Sequence, residues 1–253
     1  MGGSIEERRE EAERLRPFFE VQLRFAEAMA ERTARPLPSA CLAFTNLHRR
    51  FGFGRIEAGV PSPDWARYAD GLEQRPSRAE RLDWTVDTFL AAPPEAGDKR
   101  RFGCFSFELM DGGQVVRIHF SNRDSDDGVG PLARGKAGRR RGELRDMFAF
   151  VRARHPGVRT VKGGSWLYNL EAYRRLFPAD YAGSAAAPER VRLDGTSSWG
   201  QLLDFRGHVK PAVRQALLAN LATLDADAPW TAFPLRALAT QGPIGSFHHL
   251  YGV

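Results

Sequence analysis

Between Arg101 and Phe120 the hydrophobic period of this chain changes to two, and that change restricts the fold more than any other feature of the sequence. Phe105, Phe107 and Leu109 alternate with Cys104, Ser106, Glu108 and Met110. After Asp111-Gly112-Gly113-Gln114, Val116, Ile118 and Phe120 alternate with Val115, Arg117 and His119. Alternation sends successive side chains to opposite faces of a strand, and paired glycines supply the positive φ that a tight reversal requires. The segment therefore predicts a β-hairpin. Counting outward from a Gly112-Gly113 turn sets Leu109 opposite Val116, Phe107 opposite Ile118 and Phe105 opposite Phe120 on an apolar side. The polar side then pairs Glu108 with Arg117, Ser106 with His119 and Cys104 with Ser121.

The segments around the hairpin read mainly as helix. Ser4 with Glu7 forms a capping box, the alternating Glu/Arg stretch to Arg16 is a solvated helix, and Pro17 restarts a core-facing helix through Phe18, Val21, Phe25 and Met29. Asp64–Gly71 and Ser77–Ala91 predict two more, the second capped by Ser77 with Glu80, whereas Arg50 to Pro63 reads as loop. Beyond the hairpin, an Asp- and Gly-rich loop leads to a helix through Leu144, Met147, Phe148 and Val151. A short strand at Val158–Lys162 ends at Gly163-Gly164, and Asn169 caps a further helix. Arg190–Leu193 suggests another strand, and Pro211–Leu224 an amphipathic helix. The expected class is α+β, a mixed sheet with flanking helices. Its parts are a helical region (1–97), an α/β core (98–195) and a C-terminal helix and strand segment of the same fold (196–253).

Charge narrows the functional classes. The 253 residues carry a net charge of +6, and Arg134, Lys136, Arg139, Arg140, Arg141 and Arg145 against Glu143 place +5 of it in twelve residues. One dense patch points to a single polyanionic partner rather than a general nucleic-acid coat. No stretch approaches the roughly 20 apolar residues of a membrane span, so no membrane partner and a cytoplasmic location are expected. Two cysteines, Cys41 and Cys104, make neither a disulfide scaffold nor a zinc site, and no metal is expected.

The patch lies where a strand gives way to a helix, in Arg134-Gly135-Lys136-Ala137-Gly138-Arg139-Arg140-Arg141-Gly142. Helix-start N–H groups approached through glycines can receive a phosphate, and neighbouring arginines add bidentate contacts. The other reading is a solvated basic loop. The glycine spacing matches neither a Walker loop nor a dinucleotide fingerprint.

The order strand, Arg/Gly-rich turn, helix, strand, Asn-led helix resembles the acyl-CoA-binding core of the GNAT superfamily of N-acyltransferases over Phe102 to Leu193. In that family a Gln/Arg-x-x-Gly-x-Gly/Ala turn wraps the CoA pyrophosphate, and two strands splay to admit the pantetheine arm. Here Arg139-Arg140-Arg141-Gly142-Glu143-Leu144 fits the first four positions with Leu144 at the second small one, and Arg134–Gly138 offers Ala137 at the first glycine. Asn169-Leu170-Glu171-Ala172 is similar to the family's Asn-x-x-Ala helix. The usual tyrosine position holds Leu176, so Tyr173 or Tyr168 would substitute as proton donor. The resemblance implies acetyl-CoA or another acyl-CoA as co-substrate, held by Arg134, Gly135, Gly138, Arg139, Arg140, Arg141, Gly142 and Asn169. It implies a small-molecule or peptide amine as acceptor. His119 is then the base by type and Glu108 the second candidate; alternatively Glu108 pairs with Arg117 and His119 with Ser106.

Two other classes compete. The basic turn could grip a nucleotide or RNA without catalysis, although aromatic platforms are not interleaved with it. An unrelated enzyme could use the C-terminal segment around Gly242, Ser246, His248 and His249, the two histidines falling on opposite faces of a strand. Asn122-x-Asp124-x-Asp126-Asp127-Gly128 departs from a calcium loop and reads as solvated acid. Asp204, Arg206 and His208 line a site or form a polar loop; Trp166 and Tyr168 wall a pocket or seal the core. Cys41 stands seven residues before His48 without a positioned third group.

Overall fold

The computed structural model describes residues 5–54, 56, 62–92, 100–124 and 127–253. The fold is α+β. Along the chain come α1 (Ile5–Thr33), α2 (Leu37–Phe44), α3 (Leu47–Arg50), α4 (Pro63–Glu73) and α5 (Arg78–Ala91). Strands β1 (Arg101–Phe102), β2 (Phe105–Met110) and β3 (Val115–Phe120) follow, and α6 (Ala137–Arg154) leads to β4 (Thr160–Ser165). Then come α7 (Glu171–Arg174), α8 (Ala179–Gly183), α9 (Thr196–Trp199), α10 (Pro211–Asn220), β5 (Leu238–Pro243) and α11 (Ile244–Tyr251). The chain forms two compact units, one from residues 1–97 and 190–234, the other from 98–189 and 235–253. The C-terminal stretch is thus divided between them.

The first unit is helical. Pro17 does not restart α1 but lies inside it. Phe18, Phe19, Val21, Phe25 and Met29 are fully buried around it, and their packing outweighs the backbone hydrogen bond a proline forfeits. The Ser4 cap lies outside the described residues. The α1 helix ends with Ala34 in the left-handed region (φ 52°), and the Arg35 N–H returns to the Ala30 carbonyl at 3.2 Å, the closing bond of a Schellman turn. The capping box of α5 is present: Ser77 Oγ accepts from the Glu80 N–H, and the Ser77 N–H donates to Glu80 Oε2. Trp199 of α9 is buried edge-on against Phe18, Phe25 and Phe233, joining the late segment to α1. Arg190–Leu193 is not a strand. Leu193 is buried in the core, and the next residue, Asp194, pairs with Arg49 and Arg192.

The second unit holds a five-stranded open sheet in the order β1-β2-β3-β4-β5. The hairpin register is the one counted from the sequence, with Phe105↔Phe120, Phe107↔Ile118 and Leu109↔Val116 on one face and Glu108↔Arg117 and Ser106↔His119 on the other. Its turn is wider than two residues, since Asp111, Gly112 and Gly113 all take positive φ. The apolar face carries Val116, Ile118 and Val161 against Leu144, Met147, Phe148 and Val151 of α6, the helical stripe expected there. The β4 strand runs through Gly163-Gly164, which pair with Thr240 and Ala239 of β5 rather than ending it. Asn169 caps nothing: α7 starts after Leu170 and lasts one turn. No helix among the described residues is long and apolar enough to cross a membrane.

Candidate functional site

Strands β3 and β4 are parallel, and their ladder stops early. Only Val115–Arg117 pair with Thr160–Lys162. The last three residues of each strand have no partner in the other, although β2 still holds β3 to Phe120 and β5 still holds β4 to Ser165. The sheet is therefore open between its third and fourth strands at their C-terminal ends, next to the loop that delivers α6.

Hydroxyl groups collect on the core face of this opening. Tyr168 Oη and Tyr181 Oη are hydrogen-bonded at 2.7 Å. Both converge with Thr240 Oγ1 on the space that a Cβ on Gly163 would fill, at 2.0 to 2.7 Å from it. Glycine at 163 is what allows the cluster to touch the strand. Burial pushes both phenols above the ordinary tyrosine range. Tyr173 is buried too, its ring edge-on to Tyr168 and Phe177, so it serves the core.

The opposite, polar face carries His119 and Glu108, with Nε2 and Oε2 3.2 Å apart on the diagonal of the β2–β3 pair. Glu108 thus bonds His119 rather than its direct neighbour Arg117. The Arg117 guanidinium reaches instead toward β4, where one terminal nitrogen lies 3.6 Å from the position of a Cβ on Gly164. The cross-strand register alone sets Arg117 against Glu108 as an ion pair. Only the diagonal choice made by Glu108, invisible in the pairing count, releases it.

The basic turn differs most from its sequence reading. The helix begins at Ala137, so Arg139, Arg140, Arg141 and Gly142 lie in its first two turns instead of in a loop. Arg140 has no solvent exposure and donates to Asp124 Oδ2 at 2.6 Å, Glu143 Oε1 at 2.7 Å and Cys104 Sγ. Lys136 bonds Asp124 and Asp127, and Arg139 bonds Asp124 at 3.0 Å. Three of the six cations are thereby spent on internal carboxylates. Burial alone would raise the Asp124 carboxyl; Lys136, Arg139 and Arg140 outweigh it and hold the group below the usual carboxylate range. The acids of the apparent calcium loop are the partners of the basic run, with Asp126 outside the described residues. Arg141 donates to the Arg175 carbonyl and Arg145 meets Asp146. Arg134 is exposed, the helix start carries no side-chain cap, and the Cβ positions of Gly135, Gly138 and Gly142 face open space. Asn169 donates its amide to the Trp166 and Arg236 carbonyls, a structural tie.

The remaining candidates have local explanations. His248 and His249 lie on α11, not on a strand, and Ser246 donates to Asp180 Oδ2 at 2.6 Å. Asp204 Oδ1 accepts from the Arg206 and His208 N–H groups, the arrangement of a polar turn. Burial pushes the Cys41 thiol far up, which removes it as a nucleophile. Comparison with protein-family models, curated proteins and solved structures returned no match.

Proposed function

We propose that this protein is an acyl-CoA-dependent N-acyltransferase whose co-substrate enters the opening between β3 and β4. The observation that supports the reading is the parallel ladder that ends at Arg117–Lys162, with the glycine-lined start of α6 following β3 in the chain. An extended thioester arm can take backbone hydrogen bonds from strands that no longer satisfy each other. The diphosphate of its nucleotide end would lie against the open glycines Gly135 and Gly138 with Arg134 beside them, since the Lys136 and Ala137 N–H groups are already held by the Ala133 and Arg134 carbonyls. Lys136, Arg139 and Arg140 would shape that turn through Asp124 rather than touch the phosphates.

His119 is the base. Glu108, 3.2 Å from its Nε2, orients the ring and favours the imidazolium that forms when His119 takes a proton from the acceptor ammonium. The freed amine attacks the thioester carbonyl, the C–N bond forms as the C–S bond breaks, and the thiolate takes up a proton. Tyr168, whose hydroxyl lies on the core face of the opening beside Gly163 and which burial keeps protonated, would supply it.

Thermal unfolding with acetyl-CoA, CoA or a short RNA, at two salt concentrations, tests the proposal. Stabilisation by the two CoA compounds is expected, together with its loss in Gly138→Asp. That substitution sets a carboxylate at the phosphate position without a clash, since the position is open. Stabilisation by RNA alone, falling steeply with salt, would replace this reading with a nucleic-acid one.

A further inference from the structure

The polar face of the sheet has two poles. At one, Glu108 and His119 are bonded to each other. At the other, Arg117 and Lys162 are direct partners across the last rung of the β3–β4 ladder, two cations where like charges repel. Lys162 reaches Asp111 only at 3.9 Å, with both groups well exposed, and Arg117 has no carboxylate partner among the described residues. Arg117 and Glu108 are themselves cross-strand neighbours, so the poles are separated by about one strand spacing, roughly 5 Å. An isolated surface arginine is ordinary. Here the nearest acid turns away to a histidine, a second cation stands directly opposite, and the guanidinium lies over the bare backbone of Gly164 at the mouth of the opening.

We propose that Arg117, seconded by Lys162, binds the carboxylate of the acceptor, so that the substrate is an amine that also carries a carboxylate, of amino-acid or dipeptide size. This rests on the acyltransferase reading for the fate of the amine, but the carboxylate site stands on its own geometry. The ammonium end would lie at Glu108 and His119, and the carboxylate would take the guanidinium in a two-point hydrogen bond that an amide cannot match.

Alanyl-alanine and its C-terminal amide separate the two ends, because they share the same amine and differ in the carboxylate. With acetyl-CoA as donor, the free acid should show a KM about tenfold or more below that of the amide. Arg117→Ala should raise the KM of the acid to that of the amide, and Arg117→Lys should restore part of the preference. Equal KM values in the unaltered protein, or a preference that survives Arg117→Ala, would overturn the proposal. A second measurement needs no transfer: the Arg117 Nε–H resonance should move on adding the free acid and stay in place with the amide. An unmoved resonance at saturating acid overturns the carboxylate site. If the resonance moves while CoA neither binds nor reacts, the site stands and the acyltransferase reading falls.

Discussion

A guanidinium without solvent exposure persists only when its hydrogens are used, and Arg140 uses them on Asp124, Glu143 and Cys104. Replacing Arg140 with Met would remove the buried cation between Asp124 and Glu143 and leave the more exposed Arg139 as the group they share. A loss of about 3 to 5 kcal/mol is expected in urea unfolding, and Arg140→Lys should recover little of it, since one ammonium cannot reproduce the fork. His48 gives a pH-dependent prediction. Its ring is buried, neither nitrogen has a hydrogen-bond partner among the described residues, and burial, then Arg49, pushes its pKa down to about 4. The unfolded ring titrates near 6.5, so between these values the unfolded state binds the proton and the native state does not. Stability should therefore fall as pH drops from about 6.5 to 4, by on the order of 3 kcal/mol, and His48→Phe should flatten that slope in pH-dependent unfolding. Neither burial was legible in the sequence. Arg140 stands in a run of identical residues, and only the return of the Asp124 loop separates it from Arg139 and Arg141.

Elements that depend on local pattern were readable, and elements that depend on a neighbour were not. The hairpin register follows from alternation and a turn, and the capping box of α5 from Ser77 and Glu80. By sequence the Gly163-Gly164 pair reads as a strand end, since glycine has low strand preference, yet β5 supplies the partners that continue β4, and Tyr168 and Tyr181 need the bare backbone. A Gly163→Ala change sets a methyl group against both phenols and Thr240; a cost of about 1 to 3 kcal/mol is expected in chemical unfolding. The reverse holds at the end of α1. Ala34 takes a left-handed conformation that suits glycine, so Ala34→Gly should raise stability by about 0.5 to 1 kcal/mol in the same measurement.

At the scale of the molecule, the two units share the chain unevenly: each begins in the first part and is completed from the last. Truncation after Glu189 removes Trp199 and Phe233 from the helical core and β5 and α11 from the sheet unit. The fragment 1–189 should lack the near-ultraviolet circular dichroism of fixed aromatics in both units, whereas a chain with independent consecutive domains would keep one intact. The sequence determined by itself what local period and turn chemistry specify: the class, the hairpin and its register, the α6 stripe and the position of the basic run. Tertiary structure decided which charges are available. Asp124, Asp127 and Glu143 neutralise much of the run, while Glu108 bonds a histidine and leaves Arg117 at the open ladder. The reason is physical: periodicity acts within an element, but the partner of a charge is set by which loop folds back upon it, and a carboxylate from a distant loop leaves no trace in the pattern of the helix it neutralises.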